Sequence, residues 1–267
     1  MEANNMSSSR GTAVVTGASG GIGALYAYGL AERGYDLVLT GRQPAALDAT
    51  AASARKAGVN VETIIADLAK PEDLARVEAR IANDAAISAL INNAGTATFA
   101  PLGKLSLAAL DDTIAVNITA LTRLTRAVLP GLTARGTGAI VNFASVLAFH
   151  PWPEFGVYDA SKAYVVSFSQ ALQGEVADKG ILVQVVVPPA VDTAFWTAAG
   201  IPVSNLPAGA VMTPQDLVGA ALKGLDRGEA WVFPSLPDVG AWEDFQKARQ
   251  ALVGGLMRGQ PAPRYAP

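Results

Sequence analysis

Residues 12–23, Thr-Ala-Val-Val-Thr-Gly-Ala-Ser-Gly-Gly-Ile-Gly, decide the fold. Thr12-Ala-Val-Val15 is a short apolar run of strand type, and Ala24 to Arg33 reads as a helix that Gly34 closes. Between them lies the loop Thr16 to Gly23. Strand, glycine turn and helix in that order aim main-chain N–H groups and the positive end of a helix at a phosphate. Gly17, Gly21 and Gly23 permit a tight turn and close approach of a pyrophosphate, and Ser19 and Ile22 share the same loop. The spacing is G-x-x-x-G-x-G, not the G-x-G-x-x-G of the general dinucleotide fingerprint.

The next strand, Tyr35 to Thr40, leads into Gly41-Arg42. An acid at the end of this strand would hold the ribose 2′-OH of NAD. Gly41 stands there instead, and the Arg42 guanidinium can pair with a 2′-phosphate or stack on adenine. With the Ser19 hydroxyl beside it, the pair favours NADP(H) over NAD(H); a plain surface arginine is the competing reading. Strand–helix alternation then continues. Pro44 to Lys56 is helical, Val59 to Ala66 is a strand ending at Asp67 and Leu68, and Pro71 to Asn83 is helical again. The strand Ile87 to Ile91 runs into Asn92-Asn93-Ala94-Gly95. Repeated units of this kind predict an α/β fold, a single Rossmann-type doubly wound parallel sheet with helices on both faces. Such sheets bind ligands beyond the carboxyl ends of their strands, where Asp67, Leu68, Asn93, Ala94 and Gly95 all lie.

Leu105 to Leu129 has helical spacing, stopped by Pro130 and Gly131, and the strand Gly138 to Ala144 delivers Ser145 at its carboxyl end. Tyr158 and Lys162 are four apart in a segment whose Val157, Tyr164, Val165, Phe168 and Leu172 have helical spacing, so they share one face. A neighbouring ammonium favours the phenolate and is expected to lower the tyrosine pKa from its usual value of about 10. Tyr158 could then exchange a proton with a carbonyl or alcohol oxygen held by the Ser145 hydroxyl. Phe149, His150, Trp152 and Phe155 lie between them and read either as an apolar pocket wall or as packing under the loop.

The strand Ile181 to Val187 precedes Pro188-Pro-Ala-Val191-Asp-Thr193. Residues 194–212, with Phe195 and Trp196, have little periodicity and read as a lid over an apolar substrate or as a flap sealing the core. Thr213 caps a helix with proline at its first position, and Ala230 to Phe233 is the last strand. In the tail, Trp242, Phe245, Arg249, Leu252 and Leu256 form one mostly apolar stripe, expected to dock on its own subunit or on a neighbour. The expected plan is a flexible stretch 1–10, a catalytic domain 11–233 and a helical extension 234–267.

Of 267 residues, 51% are hydrophobic and 16% charged, which suits a globular enzyme, and a net charge of −3 speaks against nucleic-acid binding. There is no cysteine and only one histidine, which leaves no disulfide, thiolate site or multi-histidine metal cluster. The polar start lacks a signal core and no apolar run reaches the ~18 residues of a membrane span. The expectation is a cytoplasmic protein with no membrane partner.

From Gly11 to Phe233 the chain resembles the short-chain dehydrogenase/reductases, in their single-domain branch. Thr16 to Gly23 matches the family's cofactor loop, Asp67 its adenine-contacting acid and Asn92 to Gly95 its N-N-A-G motif. Asn117, Ser145, Tyr158 and Lys162 match its catalytic four. The resemblance implies hydride transfer on a nicotinamide with Tyr158 as general acid or base and Ser145 on the substrate oxygen. Lys162 would bind the nicotinamide ribose and acidify the tyrosine, and Asn117 would anchor a relay water. Pro188, Val191 and Thr193 fit the P-G-x-x-x-T pattern that contacts the carboxamide, while Pro189 replaces its glycine. The implied protein is a homotetramer or homodimer that interconverts an apolar or aromatic carbonyl and its alcohol with NADP(H). An NAD-dependent alcohol dehydrogenase of the same family is one alternative. A non-catalytic nucleotide sensor is another, against which the intact catalytic four argues.

Overall fold

The computed structural model describes residues 10–207 and 209–265, so nearly all of the expected flexible N-terminus lies outside the described residues. The first half alternates strand and helix: β1 (Thr12–Thr16), α1 (Gly21–Glu32), β2 (Asp36–Gly41), α2 (Pro44–Ala54), β3 (Val61–Ile65), α3 (Pro71–Ala82) and β4 (Ile87–Asn92). The second half adds α4 (Leu107–Ile114), a π-helical turn at Ala115–Ala120, α5 (Leu121–Arg135), β5 (Gly138–Phe143), α6 (Gly156–Glu175) and β6 (Ile181–Val186). Two short strands, β7 (Ala190–Val191) and β8 (Val211–Met212), bracket α7 (Ala194–Ala198). They are followed by α8 (Pro214–Asp226), β9 (Trp231–Val232) and α9 (Gly240–Leu256).

Seven strands form one parallel sheet in the order β3-β2-β1-β4-β5-β6-β9. Successive residues of a strand face opposite sides, so each apolar strand feeds two cores. Val15, Leu37, Leu39 and Ile91 pack with Tyr26, Leu30 and Leu217 of α1 and α8, while Val14, Val38, Leu90 and Ile140 pack with α3, α5 and α6 on the other face. The chain returns from the β3 edge to β4 beside β1. The loops after β1 and β4 therefore flank the crevice at which such a sheet takes a ligand.

Local rules explain most helix ends. Prolines open α2, α3 and α8, where a missing N–H costs nothing, and the Thr213 hydroxyl caps α8 through the Asp216 N–H at 3.1 Å. One end differs from the sequence reading: α5 continues through Pro130 to Arg135 and stops at Gly136, whose φ is 69°. A proline removes only the bond to the carbonyl four residues back, and Arg126 is exposed, where water can serve that carbonyl. Burial of Val128 and Leu132 against the sheet holds the helix together across the break. The segment 194–212 is also more regular than its sequence suggests, because Trp196 is buried and its Nε1 donates to the Val191 carbonyl at 3.0 Å.

The chain divides into two compact units after Pro234. Within the second, the Trp242 and Phe245 rings of α9 stack at 5.6 Å and Lys247 pairs with Asp244 at 3.1 Å. Among the described residues, no helix is long and apolar enough to cross a membrane.

Candidate active site

The glycine loop is shaped by contacts that only hydrogen allows. Gly17 and Gly21 have φ of 68° and 53°, the left-handed region, and a Cβ on Gly23 would lie 2.2 Å from the Gly17 carbonyl oxygen. The loop after β4 holds it in place. The Thr16 hydroxyl accepts from the N–H groups of Asn93 (3.1 Å) and Ala94 (3.0 Å), and the Asn93 amide donates to the Thr16 carbonyl at 2.9 Å. Asn93 thus acts on the cofactor loop from behind. The first turn of α1 has no side-chain cap, so its N–H groups remain available to an anion. Thr193 stands over it, with its methyl 3.6 Å from where a Gly21 Cβ would be.

At the end of β2, Ser19 Oγ is buried without a hydrogen-bond partner, and a Cβ on Gly41 would come within 2.0 Å of it. An unpaired hydroxyl beside an exposed Arg42 is a donor set suited to a phosphate. Asp67 accepts from the Ala69 N–H at 3.2 Å, while Leu68 is buried in the second core and supports the loop rather than facing the crevice. Gly95 borders the same crevice: a Cβ there would lie 3.5 Å from Asn117 Oδ1 and 3.7 Å from Lys162 Nζ.

Helix α6 carries Tyr158 and Lys162 on one face, with Nζ 5.6 Å from the phenol ring centroid. Lys162 is buried, donates to the Phe143 carbonyl at 2.8 Å, and desolvation lowers its pKa to about 8. Tyr158 departs from expectation. Burial pushes its phenol above the ordinary tyrosine range, the Ser145 hydrogen bond pulls it part of the way back, and Asp159 pushes it further up. The acidified tyrosine expected from Lys162 is therefore not what this arrangement produces: desolvation is the largest influence on the phenol, and it raises the pKa. Ser145 is buried just past β5 and also accepts from the Leu147 N–H at 3.2 Å. Asn117 sits in the π-helical turn, a distortion common at functional sites. Its Oδ1 accepts from Thr96 N (2.9 Å) and its Nδ2 donates to Thr96 O (2.9 Å) and Ser161 Oγ (3.0 Å). Ser161 in turn donates to the Tyr158 carbonyl at 2.6 Å. Asn117 therefore ties the loop after β4 to α6, the helix of Tyr158 and Lys162.

Past β6, Pro189 breaks no pairing: the Pro188 carbonyl accepts from Val146 N at 3.1 Å, and β7 pairs with β8 immediately afterwards. Val191 is buried, and Thr193 donates to its carbonyl at 3.4 Å.

Rings converge on Tyr158. Phe99 meets it edge-on at 5.7 Å and stacks on Phe155 at 3.9 Å, and Phe195 approaches Tyr158 at 5.6 Å. Trp196 packs behind Phe99 and Phe195, each at 5.8 Å. Trp152 lies one ring further out, 5.8 Å from Phe155, with His150 beyond it at 6.3 Å; both are exposed, as is Phe149. Of the six aromatic residues read as substrate walls, Phe195 meets the Tyr158 ring directly, while Phe155 and Trp196 reach it through Phe99. Phe99 was missed. It lies in an irregular stretch after the N-N-A-G turn, and nothing local marks it.

The wall contains one strained residue. Trp152-Pro-Glu-Phe155 is a turn closed by Phe155 N–H on the Trp152 carbonyl at 3.1 Å, with Glu154 at φ 73°, where glycine is preferred. We expect Glu154→Gly to stabilise the fold by about 1 kcal/mol through relief of left-handed strain. Urea unfolding measures this; an unchanged or lower midpoint contradicts it.

The short chain dehydrogenase family model matches residues 11–201. A short-chain dehydrogenase from Sphingobium yanoikuyae in complex with NADPH is 46% identical, covers 96% of this chain and 100% of its own, and superposes with a TM-score of 0.92. A bulky-bulky ketone specific alcohol dehydrogenase from Comamonas testosteroni is 39% identical with a TM-score of 0.88, over 96% of this chain and 99% of its own. A very-long-chain 3-oxoacyl-CoA reductase of Anas platyrhynchos is 36% identical over 79% of this chain and 67% of its own length. Human 17-beta-hydroxysteroid dehydrogenase type 3 is 37% identical over 68% of this chain and 60% of its own length. The glycine loop, the tyrosine–lysine face of α6 and these likenesses agree, and the chain belongs to the short-chain dehydrogenases, oxidoreductases that work between C=O and CH–OH groups.

Proposed function

We propose that the protein reduces bulky, aryl-bearing ketones with NADPH and runs the reverse oxidation. The observation that carries this reading is the aromatic cluster at Tyr158: Phe99 and Phe195 meet its ring, and Phe155 stacks on Phe99. Flat aromatic walls suit a flat apolar substrate. Likeness to an enzyme named for bulky-bulky ketones supports it. The cleft residues fit NADP(H): the loop glycines admit the pyrophosphate, and Ser19 Oγ and Arg42 offer donors to a 2′-phosphate. When bound, the nicotinamide gives or takes the hydride at the substrate carbon.

The side chains do the rest. Ser145 donates a hydrogen bond to the substrate oxygen. Tyr158, which holds its proton at neutral pH, delivers it to that oxygen as the alcohol forms, and in the oxidation takes it back. Lys162 places a cation against the same site, and Asn117 acts as a positioning residue through Thr96 and Ser161. Val191 and Thr193 close the cofactor side. A homodimer or homotetramer, the usual assembly of the family, is the proposed form.

Oxidation of NADPH should be measured with an aryl ketone, a steroid ketone and a 3-oxoacyl thioester. The proposal expects the highest kcat/KM for the aryl ketone; a preference for the thioester would replace it. Arg42→Ala should weaken NADPH by roughly 10- to 100-fold, the loss of a charge-assisted contact, with NADH little changed. Equal losses for both cofactors would remove Arg42 from the discrimination.

A further inference from the structure

Asp159 directly follows Tyr158, yet its carboxylate turns away from the proton path. It is 2% exposed; Oδ2 accepts from the Trp152 N–H at 2.7 Å, and Oδ1 is buried without a hydrogen-bond partner. A half-satisfied buried carboxylate is a costly way to hold a loop. What it holds is the strained Trp152–Phe155 turn. A second tie, Ala100 N–H to the Glu154 carbonyl at 3.0 Å, joins that turn to the segment carrying Phe99. Left-handed strain at Glu154 persists only where the surroundings over-determine it, and these two bonds do so.

We propose that Asp159 is a positioning and specificity residue: by holding the Trp152 amide it seats Trp152 against Phe155 and Phe155 against Phe99, and so sets the width of the cleft before Tyr158. The proposal rests on the reading that an aryl ketone fills this cleft. Asp159 lies on the same helix as Tyr158, so the tie joins the Trp152–Phe155 turn to the element that carries the proton donor. Its carboxyl is held above the usual range by desolvation, while the Trp152 N–H and His150 draw it the other way.

The test compares Asp159→Ala and Asp159→Asn, using benzophenone and cyclohexanone as ketones and amide hydrogen exchange of residues 150–156 in the cofactor-free protein. Asp159→Ala should raise KM for benzophenone by at least ~10-fold, the loss of a hydrogen bond to a charged group. KM for cyclohexanone and NADPH binding should change little. Loop exchange should rise by a similar factor, about 10-fold, as the local opening becomes easier. Asp159→Asn keeps an oxygen for the Trp152 N–H and should restore both readings. Equal KM increases for the two ketones, or an asparagine variant as damaged as the alanine one, would overturn the proposal. Should exchange respond as expected while the wild type reduces neither ketone, the aryl-ketone reading falls and the tie stands. Should the wild type reduce benzophenone while neither KM nor exchange moves in Asp159→Ala, the tie falls.

Discussion

Tyr158→Phe should lower kcat for ketone reduction by at least ~100-fold, the low end of what a positioned general acid contributes. The substitution removes one oxygen and keeps the ring, so the contacts with Phe99 at 5.7 Å and Phe195 at 5.6 Å remain. Cofactor affinity should persist, because the glycine loop is held by Thr16 and Asn93 and not by the phenol. What disappears is the proton donor and its hydrogen bond with Ser145. Burial raises the phenol pKa, so the group arrives at neutral pH already protonated, as reduction requires. Steady-state kinetics with a fluorescence titration of NADPH separates the two effects. Turnover within tenfold of the wild type would take Tyr158 out of the mechanism.

Lys162→Met should reduce kcat/KM by roughly 10- to 100-fold, the value of a charge-assisted hydrogen bond, while reshaping how the cofactor-free protein responds to alkali. Lys162 is 6% exposed, and desolvation lowers its pKa from 10.5 to about 8. Below pH about 8 the folded and unfolded states both carry the proton, and the burial penalty is fully present. As pH rises from about 8 to 10.5, the folded state gives up its proton while the unfolded state still binds one, so stability increases. The gain from this group is about 3 kcal/mol. The variant has no such group, and the wild-type advantage over it should grow by that amount across the window. Urea unfolding of both proteins at successive pH values measures the difference. A constant difference from pH 8 to 10.5 would contradict a cation penalised by burial.

The methyl thioether would also leave the Phe143 carbonyl without its 2.8 Å donor, a cost to the variant that is set against its freedom from the burial penalty. That loss is independent of pH, so the slope and not the offset identifies the lysine.

Much of the fold could be read locally. Glycines at 17, 21 and 23 between an apolar run and a helix, prolines at helix starts, and the four-residue step from Tyr158 to Lys162 each express a rule spanning a few residues. Those rules located the strands, their carboxyl ends and the helix face that Tyr158 and Lys162 share. They failed at Pro130, where α5 continues because Val128 and Leu132 bury against a sheet made of distant segments. They also failed at Phe99, which owes its place to rings 56 and 96 positions away along the chain: Phe155 and Phe195.

Strand–helix alternation and the motif spacings were sufficient on their own to specify a parallel sheet, a tight glycine loop and the tyrosine–lysine pair, because backbone periodicity and glycine sterics act within one turn or one strand. Tertiary structure alone decided that burial raises the phenol pKa, that Asn117 ties the Thr96 segment to the helix of Tyr158, and that the Asp159 carboxylate accepts from the Trp152 N–H. Desolvation and hydrogen-bond partnership depend on which remote segments exclude water from a group, and no short stretch of residues carries that information.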